Sequence, residues 1–370
     1  MTVCYFGIYN PNHSRNRLNI KGLRLNGVEV LECNTRERGF GKYWELIRLH
    51  WPMRHKYSVM IVGFPGHPIM PLAWLLAKLY EKKIIFDAFI SLYDSFVFDE
   101  KKYDPRSFPA LKYWLVDWLS CVLADRILLE VNEYAKYFIR TFKIHPKKFR
   151  KVLVTCDDEI FRPLLVSRQA RDHPPRISGG VEGEVEHKFL VHFHGTYIPA
   201  QGIPYIIGAA KLLKDEGINF NIIGRLKDYQ PVMEQTKIDG LVNIHFHDFM
   251  PYERLAEMMA EADVCLGMFG DTEKAKRAGA FKIMEAMAMK KPLITGDTPA
   301  VREFLTDKEN ALFCRISDCW DLAQKILELK NKPELREKLA ASGYNLFVQT
   351  MTPKKIGEEL LKIAAELNRV

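Results

Sequence analysis

Apolar and polar residues alternate along this chain in blocks that predict strands and helices in regular succession. Short apolar runs of strand length cover residues 3–9, 57–63 and 189–194, among others. Amphipathic stretches of helical length follow them. A strand, a helix and a second strand form the unit from which parallel sheets are built. The pattern therefore predicts an α/β protein with doubly wound parallel sheets.

The clearest unit of this kind covers residues 263–303. A strand is predicted at 264–269, then a loop rich in Gly and Lys/Arg, a helix at 281–289 and a second strand from Leu293. Helix N-termini present unpaired N–H groups and a positive dipole end, which favour phosphate binding. The candidate phosphate-binding residues at this helix start are Arg277, Gly279, Ala280, Phe281 and Lys282.

Glu285 lies one helical turn after Lys282, on the same face of the predicted helix. A carboxylate in that position can accept hydrogen bonds from two neighbouring hydroxyls, as on a ribose. The alternative is a surface loop with solvated lysines and a salt-bridged Glu285, because charge runs usually form solvated faces. The residues alone leave both interpretations open.

Four short stretches of this region resemble a known family: ADV at 262–264, EAMA at 285–288, KPLI at 291–294 and PAVREF at 299–304. They are similar to the nucleotide-sugar-binding segment of retaining glycosyltransferases of family 4, which have the GT-B fold. The resemblance implies that Glu285 holds the ribose and that Lys282 lies near the pyrophosphate. The family helix usually carries a second glutamate eight positions earlier, where this chain has Arg277. The usual contact to the donor sugar is therefore missing or supplied differently.

The resemblance also points to two further donor-binding loops. In the family, the loop after the first strand of this domain carries a basic pair that holds the pyrophosphate, and this chain has Thr196 and Gln201 there. The backbone cradle is then expected to remain without its charge, and Arg225 is expected to help replace that charge. The donor-binding residues expected in these loops are Gly195, Thr196, Gly202, Gly224 and Arg225.

Candidates for binding the acceptor lie in the first half of the chain, in loops after predicted strands, where open parallel sheets bind ligands. Asp87, which ends a predicted strand, is a candidate catalytic residue together with Lys282 and Glu285. With Ser91 and Asp94 it is expected to face the ligand crevice. For each of these side chains the alternative is a turn, helix-cap or salt-bridge role. The acceptor-binding candidates are Asn12, Ser14, His67, Ser91 and Asp94.

Residues 36–57 interleave basic and aromatic side chains at helical spacing. This pattern is typical of helices that lie on an anionic membrane. The alternative is a helix that buries Trp44 and Leu46 on the sheet and solvates its arginines. A second aromatic helix is predicted at 108–123, and its Trp114 and Trp118 are interpreted as core residues.

Composition narrows the class of protein. The chain has 370 residues, enough for two domains, and 48% of them are hydrophobic. The net charge of +8 favours an anionic partner, and no nucleic-acid-binding motif accompanies it. Seven scattered cysteines without a CxxC pair, and an N-terminus without a signal-peptide pattern, favour a cytoplasmic protein. His245 and His247 lack a third ligand at zinc spacing, so no metal is expected.

The expected architecture is GT-B: two Rossmann-like doubly wound parallel-sheet domains that face each other across a cleft. We expect an acceptor-binding domain at 1–165 to which residues 352–370 return, a linker at 166–186, and a nucleotide-sugar-binding domain at 187–351. No run of eighteen apolar residues occurs, so no transmembrane helix is expected.

The resemblance implies a retaining, metal-independent hexosyltransferase of glycan biosynthesis with no resident cofactor. It would move a sugar from a UDP- or GDP-linked donor to a glycan or lipid-linked acceptor, in the cytoplasm or on the inner face of the membrane. The alternatives are a nucleotide-sugar epimerase or hydrolase of GT-B fold and an inactive sugar-nucleotide-binding protein.

Overall fold

The computed structural model describes residues 1–164 and 188–368, which form two compact α/β units. The first unit comprises Met1–Asp157, Lys276–Gly279 and Gln349–Val370. The second comprises Asp158–Ala275 and Ala280–Val348. The linker predicted at 166–186 lies outside the described residues.

A six-stranded parallel sheet forms the centre of the first unit, in the order β2-β1-β3-β4-β5-β6. Its strands are β1 Thr2–Gly7, β2 Glu29–Asn34, β3 Val59–Val62, β4 Lys83–Asp87, β5 Arg126–Leu129 and β6 Phe149–Lys151. Its helices are α1 Ser14–Leu25, α2 Gly41–His50, α3 Met70–Leu79, α4 Phe108–Leu123, α5 Asn132–Phe142 and, from the end of the chain, α12 Pro353–Asn368.

Helices α1 and α12 cover one face of this sheet. Their apolar side chains pack on alternate strand residues such as Val3 and Ile61. The two helices approach so closely that a Cβ on Gly22 would lie 2.2 Å from the carbonyl oxygen of Pro353, and one on Gly357 would lie 2.0 Å from that of Gly22. Glycine at both positions is therefore needed for this packing. Because parallel crossovers are right-handed, the strand order places helices α2 to α5 on the opposite face.

The two aromatic helices of the first unit differ from their sequence-based interpretations. Trp44 on α2 is 75% exposed, whereas Leu46 is buried, so the alternative in which both pack on the sheet is wrong for Trp44. On α4, Trp118 is exposed together with Leu111 and Leu115, so the interpretation of Trp118 as a core residue is wrong, and Trp114 is half-buried. An all-round apolar helix does not reveal from its sequence which side is buried. None of the helices in the described ranges combines the length and apolarity that a membrane span needs.

The second unit is built on another six-stranded parallel sheet, in the order β12-β11-β10-β7-β8-β9. Its strands are β7 Phe189–His194, β8 Ile218–Ile223, β9 Ile244–His247, β10 Val264–Leu266, β11 Leu293–Gly296 and β12 Leu312–Cys314. Its helices are α6 Ile203–Leu212, α7 Leu226–Ile238, α8 Tyr252–Glu261, α9 Phe281–Ala288, α10 Cys319–Asn331 and α11 Pro333–Thr350, whose last two residues belong to the first unit.

The strand order of the second sheet reverses beside β7. The chain first adds β8 and β9 on one side of β7 and then β10, β11 and β12 on the other. Such a reversal leaves a crevice at the carboxyl ends of the two adjacent strands, here β7 and β10, where doubly wound folds bind ligands. The predicted α/β class with doubly wound parallel sheets is confirmed in both units.

Candidate functional site

The loops that follow β7, β8 and β10 meet at the reversal point of the second sheet. The phenol of Tyr229 donates a hydrogen bond to the carbonyl oxygen of Gly195 at 2.7 Å. The N–H of Phe269 donates to the carbonyl oxygen of Gln201 at 3.2 Å. These bonds hold the 195–202 loop from both sides, so its backbone is fixed before any ligand arrives.

Three glycines allow this close packing. A Cβ on Gly195 would lie 2.7 Å from the Lys282 ammonium nitrogen, and a Cβ on Gly224 would lie 2.4 Å from the carbonyl oxygen of Gly195. Gly202 has a φ of +72°, a left-handed conformation that favours glycine. Gly202 and Gly224 are therefore sterically restricted to glycine, whereas the flexible Lys282 side chain could move away from a Cβ at Gly195.

Lys282 extends from the first turn of α9 into this cradle. Its side chain is only 5% exposed, its ammonium group donates to the Gln201 side-chain oxygen, and it lies 3.9 Å from the centre of the Phe193 ring. Burial lowers the pKa of Lys282 to about 7, partly opposed by the charge of Glu285. The alternative of a solvated surface lysine is wrong for Lys282. A buried lysine with this pKa gains a proton readily when an anion binds beside it.

Glu285 is held by a chain of two histidines. Its Oε2 atom lies 2.6 Å from Nε2 of His194, and Nδ1 of His194 lies 3.1 Å from Nε2 of His192. Burial above all, and then the nearby His194, lower the pKa of His192 well below its usual range, so His192 is neutral. With both rings neutral, the two bonds form when His192 donates to His194 and His194 donates to Glu285. The other carboxylate oxygen of Glu285 accepts no hydrogen bond from the residues that the structure describes, so it remains available to a ligand hydroxyl.

Sequence reasoning did not identify these two histidines. They stand at alternate positions of β7, and His194 is the last residue of the strand, directly before Gly195. A histidine at the carboxyl end of a central strand, next to a cradle glycine, is the signal that could have found His194.

The remaining donor-site candidates of the second unit lie around this core. Ala280 occupies the N-cap position of α9, and Phe281 is its first residue. Thr196 is exposed in the 195–202 loop. Arg225 is exposed as well, and its Nε atom donates to Asp228 at 2.8 Å, so its charge is already paired on its own helix. The contacts of these residues with a donor stay predictions.

Arg277 and Gly279 belong to the first unit. The Arg277 guanidinium contacts the Asp94 carboxylate at 2.8 Å and lies 4.2 Å from the centre of the Tyr137 ring. The N–H of Gly279 donates to the Glu130 carboxylate at 2.9 Å. Arg277 thus contacts an acceptor candidate, Asp94, and its proposed contact with the donor stays a prediction.

Asp87 is fully buried at the end of β4. Its carboxylate accepts from Arg15 Nε at 3.0 Å and from the Asn19 amide at 3.0 Å. Arg15 also donates to the carbonyl oxygens of Val152 and Leu153. This arrangement ties α1 to the ends of two strands, and the expectation that Asp87 faces an open crevice is wrong.

Three acceptor candidates are buried as well, so the expectation that Ser91 and Asp94 face a crevice is also wrong. The Ser91 hydroxyl donates to Asp117 at 2.6 Å, and Nε2 of His67 lies 3.4 Å from the same carboxylate. Burial raises the pKa of Asp117 to about 7 and lowers that of His67 to about 3. In this unit other elements cover the loops after the strands, which the local sequence does not show.

Asn12 and Ser14 lie in the loop that leads into α1. Asn12 is exposed and its N–H donates to the Asn10 side chain at 3.1 Å, whereas Ser14 is half-buried as the first residue of the helix. Their roles in acceptor binding stay predictions.

No cluster of three or more His, Cys, Asp and Glu side chains suited to a metal ion occurs in the described ranges. His247 instead forms a 3.3 Å contact between its Nε2 atom and the Asn221 side-chain oxygen. Metal independence stays a prediction.

Comparison with known proteins relates the second half of the chain to a family. The family model Glycosyl transferases group 1 matches residues 180–368. An uncharacterized glycosyltransferase of Methanocaldococcus jannaschii is 27% identical over 225 residues, 60% of either chain. EpsD of Bacillus subtilis, provisionally named a glycosyltransferase, is 25% identical over 288 residues, which are 75% of this chain and 70% of EpsD. The chain thus spans about three fifths of the length of the Methanocaldococcus relative.

Solved structures share the fold over the full length. HepE of Anabaena, determined with UDP and with UDP-glucose, superimposes with a TM-score of 0.72 at 12% identity, covering 100% of both chains. Sucrose-phosphate synthase of Thermosynechococcus elongatus gives a TM-score of 0.73 at 13% identity, covering 100% of this chain and 99% of the synthase. Identities this low establish the common GT-B fold and no more.

Proposed function

Because this chain belongs to the glycosyl transferases group 1 family, we propose that it transfers a sugar from a nucleotide-diphosphate sugar to an acceptor hydroxyl. The observation that carries the proposal is the pairing of a buried lysine and a histidine-held glutamate in one glycine-lined cradle, Lys282 and Glu285. The UDP and UDP-glucose complexes of HepE, a protein of the same fold, support a UDP-linked donor, and a GDP-linked donor is the other candidate.

The charge and the hydrogen-bonding groups of this site support a nucleotide-sugar donor. The Glu285 oxygen that accepts no hydrogen bond from the described residues would accept from the ribose hydroxyls, while the histidine chain keeps the carboxylate in place. Lys282 would take up a proton and face the diphosphate. The N–H groups at the start of α9 would add donors for the phosphate oxygens.

The proposed chemistry breaks the bond between the anomeric carbon and the diphosphate and forms a bond from that carbon to the acceptor oxygen. The leaving diphosphate takes the electron pair of the broken bond and the negative charge that goes with it, and the acceptor hydroxyl passes its proton to an oxygen of that diphosphate. Lys282 and the helix N–H groups would stabilise that charge without a metal ion. Retention of the anomeric configuration and hexose as the transferred sugar follow from the resemblance to family 4. Asp87 has no part in this mechanism, because its carboxylate is buried in an ion pair.

For the acceptor we propose a glycan or a lipid-linked glycan on the cytoplasmic side of a membrane. Helix α2 and its flanks support contact with a bilayer. Phe40, Trp44 and Trp51 are exposed, and Arg36 and Arg38 are exposed beside them. Exposed tryptophans among basic residues suit the interface of an anionic membrane.

Changing Arg36, Arg38, Arg48 and Arg54 to serine tests the contact of α2. The variant should lose co-sedimentation with anionic liposomes at low salt and keep the nucleotide affinity of the wild type, because each basic residue contributes about 1 kcal/mol near an anionic surface. High salt should release the wild type. A variant that sediments like the wild type would leave these arginines as a solvated helix face.

Incubation with a panel of nucleotide sugars tests the enzymatic proposal. Transfer to an added glycan or lipid-linked acceptor is the expected result. Turnover without an acceptor would instead indicate an epimerase or hydrolase, and binding without turnover an inactive sugar-nucleotide-binding protein. A preceding thermal-shift screen with UDP, GDP, ADP and CMP would select the base, because a ligand stabilises the folded state that binds it.

A further inference from the structure

Helices α3 and α4 present an apolar surface to solvent. The helices contact each other, and the exposed side chains of α4 recur at helical spacing along one stripe. Six large side chains of this surface are between 36% and 80% exposed. We call it the α3–α4 face, and its members are Trp74, Leu79, Phe108, Leu111, Leu115 and Trp118.

The charges on the α3–α4 face are of one sign. Lys78 is the only charged residue of α3. Helix α4 carries Lys112 and Asp117, and Asp117 is completely buried. Neither helix therefore exposes a carboxylate. A face that is apolar and cationic differs from an ordinary solvated helix surface, in which both signs are mixed, and apolar patches of this kind mark interaction sites.

A cavity of about 310 Å³ opens at the edge of this face, beside Trp74. Lys78, Lys82, Arg126 and Lys147 line it. Among the described residues, the ammonium groups of Lys78 and Lys147 contact no carboxylate. The cavity is therefore a cationic recess in which no described carboxylate pairs with these two lysines.

Three other charged groups of the cavity are already engaged. The Nε atom of Arg126 lies 3.8 Å from the Glu366 carboxylate. The Lys148 ammonium donates to the carbonyl oxygens of Val122 and Ala124, each at 2.7 Å, at the end of α4. The Asp125 carboxylate accepts from the N–H of Ile84 at 2.8 Å. Lys148 thus fixes the wall of the recess, and within the described part of the chain Asp125 is the only acid that lines it.

We infer that the α3–α4 face docks on an anionic bilayer and that the cationic cavity at its edge holds a lipid headgroup phosphate. Apolar and tryptophan side chains would enter the interfacial layer while the lysines meet the phosphates at its surface. A second copy of this chain would place the same cationic surface against itself, so like charges oppose that occupant. The inference extends the membrane contact proposed for α2, which lies on the same side of the sheet, and it does not depend on nucleotide-sugar binding.

Co-sedimentation of the full chain with vesicles tests the inference. The vesicles are phosphatidylcholine with and without phosphatidylglycerol, at low salt. Two double variants probe the surface: Leu111→Ser with Leu115→Ser, and Lys78→Glu with Lys147→Glu. Each should weaken partitioning into the anionic vesicles by about tenfold or more, because two interfacial leucines or two favourable charges are lost.

Matched controls lie on the second unit. Ile238→Ser with Val242→Ser removes two exposed apolar side chains, and Lys214→Glu with Lys237→Glu makes the same change in net charge. Both control variants should partition like the wild type.

Each outcome of the vesicle experiment either supports or overturns the inference. Loss in the two α3–α4 variants, with the controls unchanged, supports it. Wild-type partitioning in these variants overturns it, and loss confined to the α2 variant then leaves the membrane contact to α2 alone. A wild type that ignores anionic vesicles overturns both membrane proposals. The inference is also overturned if the wild type is a dimer that does not bind vesicles and the double variant Leu111→Ser with Leu115→Ser is a monomer. That result would assign the α3–α4 face to self-association. Nucleotide-induced thermal shifts, measured on the same samples, report separately on the glycosyltransferase proposal.

Discussion

The buried ammonium group of Lys282 makes donor binding depend on pH. Burial lowers its pKa from the ordinary 10.5 to about 7 in the ligand-free protein. A bound diphosphate would place negative charge beside it and raise the pKa again. Binding should therefore be linked to uptake of a proton. Above pH 7, each further pH unit leaves about ten times fewer molecules with Lys282 already charged.

The expected change in affinity with pH follows from the fraction of molecules in which Lys282 is protonated. The wild type should bind UDP-glucose about a hundredfold more weakly at pH 9 than at pH 5.5, because only about 1% of Lys282 is protonated two pH units above its pKa. Isothermal titration calorimetry measures the affinity directly. Repeating it at pH 7 in buffers of different ionisation heat should count about half a proton taken up per ligand. The diphosphate diester of UDP-glucose does not titrate in this range. Uridine, measured at the same pH values, corrects for the uracil N3–H, which begins to ionise at the alkaline end.

Lys282→Met supplies the control, since it keeps the length of the side chain without the charge. Its affinity should be independent of pH and close to that of the wild type at pH 9. Uridine, which lacks phosphate, should bind both proteins equally at every pH. A wild-type affinity that stays flat from pH 5.5 to 9, with no proton uptake, would refute the assignment of Lys282 to the diphosphate.

The same pKa has a consequence for stability without ligand. Between pH 7 and 10.5 the unfolded chain binds more protons at Lys282 than the folded protein does, so the free energy of unfolding rises with pH in this window. This gain in unfolding free energy is fully present above the pKa that Lys282 has in the unfolded chain, and it is lost as the pH falls towards 7. The difference in unfolding free energy between the wild type and Lys282→Met, followed by urea denaturation, should show this slope.

Two further substitutions test the glutamate and the buried ion pair. Glu285→Ala should weaken nucleotide binding by about tenfold or more with the fold intact, since a charge-assisted hydrogen bond contributes roughly 1.5–3 kcal/mol; unchanged affinity in calorimetry would contradict the ribose assignment. Asp87→Asn should lower the free energy of unfolding by about 3–5 kcal/mol, because Arg15 is left buried without its counter-charge. If Asp87→Asn instead unfolded like the wild type in urea but lost transfer activity, Asp87 would be catalytic after all.

Sequence periodicity was sufficient for the fold class. The repeated succession of strand and helix predicts doubly wound parallel sheets, because few arrangements bury both the apolar strands and one stripe of each helix. The spacing of Lys282 and Glu285 likewise follows from helix geometry alone. Both inferences depend on neighbours along the chain, and local sequence determines such neighbours.

What the tertiary structure decided concerns contacts between residues far apart in the chain. Glu285 is held by His194, and Lys282 by Gln201, across 91 and 81 positions. The low pKa of Lys282 arises from desolvation by that packing, which no local pattern encodes.

Contacts between distant residues also explain why the acceptor candidates are buried and which side of α4 is exposed to solvent. The end of β4 could have been a ligand-facing strand end, but Arg15 from α1 covers Asp87. Helix α4 is apolar on most of its circumference, so its sequence allowed either side to be buried. Only the packing of α4 beside α3 left Leu115 and Trp118 in solvent. The spacing of apolar residues is a property of the linear sequence, whereas the burial of a side chain depends on which helices and strands the fold places next to it.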